Sequence, residues 1–360
     1  MKIKGYFLQG MTAVALLFGV TAAQASSAGG AYTMTNAPDD NKVVVFSRDA
    51  QGLLTKTDEV STGGKGSGGG LDPLGSQGSL VIDKHGKWLL AVNAGSNDIS
   101  VFRVMPDGIA LSNRIGSGGS FPVSVTVSDD TVYVLNENPP ANITGFKLNH
   151  QGHLSPLANS TRLLGTGAFG QVAFNPLGTT LTVTNKTENK ILEFPMHKDL
   201  PAAMPVESPS SGITPFGVVF DAVGHLLVVE AATNAVSSYT VARNGHLQPI
   251  TMSAVNGQIA SCWIAINHRG DVYTTNPGTN SLSSFHEAVG SGQVSLMNGT
   301  AGAANTPLDL DISVNGRFLY AVDPSNGGVD MFRIESDGSL TGMGGVDGGL
   351  AIYAQGMAVR

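Results

Sequence analysis

The stretch Trp88-Leu-Leu-Ala-Val-Asn-Ala-Gly-Ser-Asn-Asp-Ile-Ser-Val-Phe-Arg-Val104 decides the fold. Its first half is a short apolar run that ends in Asn93, and its second half alternates apolar and polar residues after a polar turn through Asn97. Alternation with a period of two is typical of a β-strand, and Asn and Gly between two such runs indicate a tight turn. The stretch therefore predicts two β-strands joined by a short turn.

The same unit returns along the whole chain, marked by a polar residue where its second predicted strand ends. Most of these markers follow one another at intervals of about 45 residues, and they are Asn36, Asn93, Asn136, Asn185, Glu230, Asn276 and Asp323. Most units open with a further apolar strand and close after a glycine-containing turn. Four strands in a period of about 40–50 residues are typical of a β-propeller blade. The sequence therefore predicts an all-β protein, a seven-bladed β-propeller with four-stranded blades.

The two ends of the repeat array complement each other. The first unit has its later strands near 31–62 but no opening strand, whereas Gln355–Val359 is an opening strand with nothing after it. We therefore predict that residues 354–360 complete blade one and close the ring, which leaves no sheet edge exposed. The first interval is longer than the others because the glycine-rich stretch Thr62–Gly70 is inserted, and we expect a flexible loop over one face there.

Residues 1–25 have the pattern of a secretory signal peptide. Lys2 and Lys4 precede an apolar stretch from Met11 to Val20, and the segment ends in Ala23-Gln24-Ala25. Small residues at this spacing form a cleavage site, so we predict cleavage near Ala25 and a secreted or periplasmic protein. No later apolar run approaches the ~18 residues that span a bilayer. Residues 26–360 are expected to form a single propeller domain.

Composition narrows the classes of partner. The chain has 360 residues, of which 47 are glycine, 41% are hydrophobic and 13% are charged, and its formal charge is −7. It contains no cluster of Lys and Arg, so nucleic acid is not an expected partner. A single cysteine, Cys262, excludes an internal disulfide. We expect a monomer that acts on or binds a small molecule.

The repeats resemble the lactonase family of seven-bladed propellers, which includes 6-phosphogluconolactonases and carboxymuconate cyclases. The likeness is carried by Asn315-Gly316-Arg317-Phe318-Leu319-Tyr320-Ala321-Val322-Asp323, by the unit 89–104, and by Val132-Tyr133-Val134-Leu135-Asn136-Glu137. Leu181-Thr182-Val183-Thr184-Asn185 also resembles the Tyr-Val-Thr-Asn repeats of secreted propellers. The resemblance implies an activity that opens or closes a small cyclic ester at the mouth of the central channel.

The loops that enter the opening strands and those that follow the second strands share one face of a propeller, so polar residues there are the candidate site. Glu137, Asp309 and Glu230 are the candidate catalytic carboxylates, because a carboxylate with a raised pKa can activate water. The candidate substrate-binding residues are Gln171, Trp263, Asn136, Asn185, Asn276 and Asp323. The repeated Asn residues have an alternative interpretation as turn residues that bond to local backbone.

Two functions stay open from the sequence. One is a lactonase-like hydrolase or cyclase, favoured by Asn136-Glu137 and by the acidic strand Asp309-Leu310-Asp311. The other is a propeller without catalysis that binds a carbohydrate, a peptide or a partner in the cell envelope. The second is favoured because the opening strands lack the His and Arg that lactonase propellers present there. No metal or cofactor is expected, since no histidine pair has zinc-ligand spacing except His150 and His153 within one turn.

Overall fold

Seven antiparallel sheets surround a central channel in the computed structural model, which describes residues 1–2 and 28–360. Within six of these sheets the strands follow the chain order from the innermost strand at the channel to the outermost, and in blade one the innermost strand comes from the end of the chain. The innermost strands of successive blades contact each other around the ring. The predicted seven-bladed propeller is therefore confirmed. Residues 3–25 of the predicted signal peptide lie outside the described residues.

The strands of blades one to three have the following bounds. Blade one contains β1 Gly29–Met34, β2 Lys42–Arg48 and β3 Leu54–Ser61; blade two contains β4 Leu80–Ile82, β5 Trp88–Asn93, β6 Asp98–Met105 and β7 Gly108–Gly116; blade three contains β8 Pro122–Ser128, β9 Thr131–Asn136, β10 Ala141–Leu148, β11 Leu154–Pro156 and β12 Arg162–Gly165. The outermost position of blade three is shared by β11 and β12, because both pair with β10.

Blades four to seven repeat the same order. Blade four contains β13 Phe169–Phe174, β14 Thr180–Asn185, β15 Lys190–His197, β16 Leu200–Pro201 and β17 Val206–Pro209; blade five contains β18 Pro215–Phe220, β19 Leu226–Glu230, β20 Ala235–Val241 and β21 Leu247–Val255. Blade six contains β22 Trp263–Ile266, β23 Asp271–Asn276, β24 Ser281–Ala288 and β25 Gln293–Ala303; blade seven contains β26 Leu310–Ile312, β27 Phe318–Asp323, β28 Gly328–Ile334 and β29 Leu340–Asp347. In blade four, β16 and β17 both pair with β15.

The last strand closes the ring. β30, Gln355–Val359, pairs antiparallel with β1 through Ala31 with Val359 and Tyr32 with Ala358, so it is the innermost strand of blade one. This confirms the closure predicted from the two incomplete ends of the repeat array. Because the closing pair joins the two ends of the array, opening the ring requires the loss of a whole strand pairing.

The burial of each strand follows its position in the blade. Second strands such as β5, β9 and β14 are buried along their whole length, because both faces pack against neighbouring blades. Outermost strands such as β21 and β29 have mostly exposed or half-buried residues. Within the described ranges the only helix is the single 3₁₀ turn Pro277–Thr279, and none has the length and hydropathy that crossing a bilayer requires.

Candidate functional site

The face of the ring where the innermost strands begin, called the mouth below, is covered by the segment between blades one and two. Its first part, the inserted loop, is tied to both blades by backbone hydrogen bonds, from Gly66 N–H to Ala37 C=O (2.8 Å) and from Gly95 N–H to Lys65 C=O (3.0 Å). Its second part, Leu71–Gly78, runs across the innermost strands of distant blades and is called the plug segment. The predicted loop over one face thus continues into a segment that covers the channel.

Gln77 bridges the ring from within the plug segment. Its backbone N–H donates to Gly170 C=O of blade four (3.0 Å). Its side-chain amide donates to Ile264 C=O of blade six (2.9 Å) and accepts the Ile264 N–H (2.9 Å). Gly217 of blade five lies beneath this amide, and a Cβ there would be 2.2 Å from Gln77 Oε1. The amide of Gln77 therefore completes the unpaired edge of β22, and residue 217 must lack a side chain.

Two residues predicted to bind substrate instead bond to the protein itself. The Trp263 indole is 1% exposed, and its Nε1–H donates to Ser76 C=O of the plug segment (2.9 Å). Gln171 is buried, and its Oε1 accepts the Val218 N–H of the next blade (2.6 Å). The structure thus places Trp263 beneath the plug segment and Gln171 at a junction between blades.

Asp309 and Asp311 form hydrogen bonds across the junction between blades seven and one. Asp309 Oδ2 accepts the Gly356 N–H (2.9 Å), and Asp311 Oδ2 accepts the Val359 N–H (2.8 Å). At the junction between blades three and four, Ser124 Oγ likewise accepts the Val172 N–H (3.2 Å). Burial raises the pKa of Asp309 to about 8 and that of Asp311 to about 7. Both carboxyls therefore satisfy the N–H groups on the free edge of an innermost strand.

The residues at the ends of the second strands are buried within the protein. Asn136 donates to Ser117 C=O (3.2 Å) and to Asn142 Oδ1 (3.0 Å). Equivalent contacts with neighbouring loops or turns are made by buried side chains at the corresponding positions, namely Asn185, Asn276 and Asp323. Glu230 is also buried, its Oε1 accepts hydrogen bonds from Ser237 Oγ and Ser210 Oγ, and burial raises its pKa to about 7. These residues hold the ends of the strands in place.

Glu137, by contrast, lies at the mouth beside two residues that the sequence did not single out. Its side chain is 19% exposed, and its Oε1 is 3.7 Å from Lys186 Nζ. The Lys186 ammonium, with a side chain 13% exposed, also donates to Gly75 C=O and lies 5.2 Å from the centre of the Phe216 ring. Gly75 N–H in turn donates to Asp72 Oδ1 (3.0 Å). Asp72, Glu137 and Lys186 thus form one group, called the mouth cluster below.

Asp72 is a carboxyl group with a raised pKa in the mouth cluster. Burial raises its pKa to about 7, against the opposing effect of the Lys186 ammonium and of the Gln355 side-chain amide, which donates to Oδ1 (2.8 Å). The Glu137 carboxylate adds a small further increase. No described residue hydrogen-bonds to Oδ2 of Asp72. One carboxylate oxygen near neutral pKa, next to an ammonium group, can accept a proton from water while the cation stabilises a developing oxyanion.

Sequence reasoning found one of the three residues of the mouth cluster. The residues that directly follow the second-strand markers are Ala37, Ala94, Glu137, Lys186, Ala231, Pro277 and Pro324. Only Glu137 and Lys186 are charged, they have opposite charges, and they belong to adjacent blades. Comparing the residues that follow the markers of the seven repeats could therefore have identified Lys186. Asp72 lies in the non-repeating plug segment, so no repeat position predicts it.

The channel itself is a separate cavity of about 400 Å³ below the plug segment. Gln77 and Gly78 line one end, and Phe174, Phe220 and Ile266 line the other. The last residues of these innermost strands are half-buried whereas their first residues are buried, so the cavity opens on the face opposite the mouth. Asp309 and Asp311 line this cavity. Asp309 also lies close enough to the plug segment for the charge of Asp72 to raise its pKa, whereas no such effect acts on Asp311.

The fold is a seven-bladed β-propeller, the fold of the lactonase propellers. The family described as "Lactonase, 7-bladed beta-propeller" matches residues 27–169, which confirms the resemblance predicted from the sequence. No curated protein sequence matches the chain.

Solved structures with the same fold cover nearly the whole chain. A proposed 6-phosphogluconolactonase from Bacteroides fragilis has a TM-score of 0.73 at 15% identity, over 94% of this chain and 99% of that chain. The periplasmic gluconolactonase PpgL of Pseudomonas aeruginosa has a TM-score of 0.73 at 15% identity, over 92% of this chain and 98% of that chain. At such identities the likeness establishes the fold alone.

Proposed function

We propose that this chain is an exported lactonase that hydrolyses a small, uncharged sugar-type lactone at the mouth cluster. The observation that carries the proposal is the grouping of Asp72, Glu137 and Lys186 at a solvent-accessible mouth. A base with a pKa of about 7 beside an ammonium group supplies the two functions that ester hydrolysis requires. The match to the lactonase family over residues 27–169 supports the same class of reaction.

Each residue of the cluster has a role in this proposal. Asp72 Oδ2 takes a proton from water, and the water oxygen attacks the lactone carbonyl carbon. Lys186 Nζ turns from Gly75 C=O towards the carbonyl oxygen and stabilises its negative charge. The ring C–O bond then breaks, and the leaving oxygen takes the proton back from Asp72. Glu137, 3.7 Å from Lys186, holds the ammonium in place. Asp309 and Glu230 are assigned to the fold and not to the reaction.

The charge of the cluster indicates the class of lactone. Two carboxylates face one ammonium group, so a substrate phosphate would meet net repulsion and no bidentate partner. An unphosphorylated sugar lactone avoids this repulsion. The name of the structural neighbour PpgL, a periplasmic gluconolactonase, agrees with an unphosphorylated substrate in an exported protein.

The test is acid release in a pH-stat, with purified mature protein and four lactones. These are glucono-1,5-lactone, its 6-phosphate, a muconolactone and an acyl-homoserine lactone. We expect turnover of the first and a far lower rate with the 6-phosphate. Lys186→Met and Asp72→Asn should each lower kcat/KM about 100-fold or more, since each removes an interaction made in the transition state.

Asp311→Asn is the matched control, because Asn retains the oxygen that accepts the Val359 N–H and because Asp311, unlike Asp309, has no charge interaction with Asp72. It should stay within about threefold of the wild type. Folded protein without turnover of any of the four lactones would contradict the proposal, and so would a loss of activity in Asp311→Asn that equals the loss in Asp72→Asn.

A second candidate function is binding without catalysis. It is favoured by one observation, namely that the plug segment covers the starts of innermost strands, where Gln77 bonds to Ile264 and Ser76 C=O accepts the Trp263 indole N–H. In that case calorimetry should detect binding of a saccharide or peptide that Lys186→Met weakens, while the lactone panel shows only spontaneous hydrolysis.

A further inference from the structure

A second group of polar side chains lies on the face opposite the mouth, at the junction of blades five and six. Asp221 and His225 belong to the turn between β18 and β19, and Glu287 is the last residue but one of β24. One potential ligand atom from each of the three lies within 4.8 Å of the other two. This group is distinct from the mouth cluster, and the proposed hydrolysis does not use it.

Asp221 and His225 are already held in fixed positions by the turn. Asp221 Oδ1 accepts the backbone N–H groups of Val223 (3.1 Å), Gly224 (2.7 Å) and His225 (2.7 Å). Its other oxygen, Oδ2, lies 2.7 Å from His225 Nδ1. The turn therefore presents a carboxylate oxygen and an imidazole nitrogen side by side, with the imidazole only partly exposed to solvent.

Glu287 has a buried carboxylate with one oxygen that lacks a hydrogen-bond partner among the described residues. The residue is 1% exposed, and its Oε1 accepts the Gly292 N–H (3.0 Å). Its Oε2 has no hydrogen-bond partner among the described residues. A Cβ built on Gly292 would be 3.0 Å from His225 Nδ1, so the loop that holds Glu287 Oε1 packs against the same imidazole nitrogen. A buried carboxylate oxygen without a partner is costly unless a cation or a donor meets it.

We propose that Asp221, His225 and Glu287 bind one divalent transition-metal ion, with Zn²⁺ as the best-suited ion. The ion would take Asp221 Oδ2, His225 Nδ1 and Glu287 Oε2, and water would complete the coordination. Two carboxylates neutralise the charge of the ion. The imidazole ligand selects against Ca²⁺ and Mg²⁺, which prefer oxygen ligands alone.

The spacing of the ligand atoms fits a small ion. Bonds of about 2.0–2.1 Å that meet at 90–109° place two ligand atoms roughly 2.9–3.4 Å apart. The separation of 2.7 Å between Asp221 Oδ2 and His225 Nδ1 needs to open by only a few tenths of an ångström. One carboxylate oxygen of Glu287 lies at most 4.8 Å from a potential ligand atom of Asp221 and of His225. The ion would replace the proton between Oδ2 and Nδ1, so binding should release protons.

The site would add a link between the neighbouring blades five and six. Ser238 Oγ of blade five already donates to Gly292 C=O of blade six at the same place (2.6 Å). An ion held by the turn of blade five and by β24 of blade six would cross-link this junction. Its expected effect is therefore on stability, independent of lactone hydrolysis at the opposite face.

The test is calorimetric titration of ZnCl₂ into mature protein that has been dialysed against a chelator. We expect one ion per chain, and a midpoint of thermal unfolding, Tm, that rises by a few degrees at about 100 times the dissociation constant. Glu287→Gln and His225→Gln should each weaken the affinity at least tenfold. Co²⁺ gives a visible absorption spectrum that reports the same ligands.

Two control variants separate this site from general effects. Glu193→Gln changes another buried glutamate whose Oε2 lacks a hydrogen-bond partner, in blade four, and should leave the affinity unchanged. His286→Gln removes an exposed histidine near Asp271 and should also leave it unchanged. Folded protein that binds no stoichiometric Zn²⁺ would overturn the proposal. Binding that persists undiminished in both Glu287→Gln and His225→Gln would overturn the assignment of the ligands.

Discussion

Glu193 provides a direct test of how this propeller responds to pH. The residue lies in β15 of blade four, is fully buried, and accepts one hydrogen bond at Oε1 from Thr182 Oγ1 (2.8 Å). Its Oε2 has no partner among the described residues. Burial raises the pKa of Glu193 to about 8, well above its usual value of 4.5. The folded protein therefore holds a proton that the unfolded chain releases.

The sign of the effect follows from the two pKa values. Between pH 4.5 and 8 the unfolded state binds fewer protons at Glu193 than the folded state, so the free energy of unfolding falls as the pH rises. The slope is about 1.4 kcal/mol per pH unit, which amounts to about 3 kcal/mol between pH 4.5 and pH 7. Glu193→Gln removes this loss because glutamine does not titrate and has the same shape.

The assay is urea denaturation of wild type and Glu193→Gln at several values between pH 4 and pH 8. The stability of the variant relative to wild type should increase by about 3 kcal/mol from pH 4.5 to pH 7. Val183→Ala changes a buried residue on the neighbouring strand and should lower stability by the same amount at every pH. A difference between Glu193→Gln and wild type that does not vary with pH would refute the reasoning.

Two further predictions concern the parts of the fold that shape the mouth and the ring. Gly217→Ala places a Cβ 2.2 Å from Gln77 Oε1, so it should displace that amide and lower the free energy of unfolding by about 1–3 kcal/mol in urea denaturation. Gln77→Leu removes the same amide and should lower the free energy of unfolding by a similar amount. An unchanged stability in Gly217→Ala would argue against the contact between Gln77 and blade five. Deletion of residues 355–360 removes the strand that pairs with β1, so it should abolish the single cooperative unfolding transition, and a truncated protein as stable as wild type would contradict closure by β30.

The repeat made the fold predictable from the sequence. Each blade shows the same sequence pattern, and the two incomplete ends could belong together only if the ring closes through Gln355–Val359. The pairing of β30 with β1 confirms this prediction. Alternating and continuous apolar runs determine which residues enter the core, so local pattern and global architecture agree here.

The candidate site was harder to predict, because much of it comes from the one segment that does not repeat. Asp72 and Gln77 lie in the plug segment, which bonds to residues far away in sequence. Lys186 donates to Gly75, 111 residues away, and Gln77 donates to Ile264, 187 residues away. The pattern also gives no sign of which polar residues bond to protein rather than face solvent. Asp309 directly precedes the innermost strand β26, whereas the sequence predicted it within that strand. Its carboxyl group accepts the backbone N–H of Gly356.

The pH dependence of glucono-1,5-lactone hydrolysis tests the proposed function most directly. For wild type we predict that kcat/KM rises as the pH increases through about 7, because Asp72 must be ionised to accept a proton and burial holds its pKa there. In Asp72→Asn the rate should be about 100-fold lower and this rise should disappear. An unchanged rate and profile in Asp72→Asn, from folded protein, would contradict the claim that the mouth cluster carries the activity.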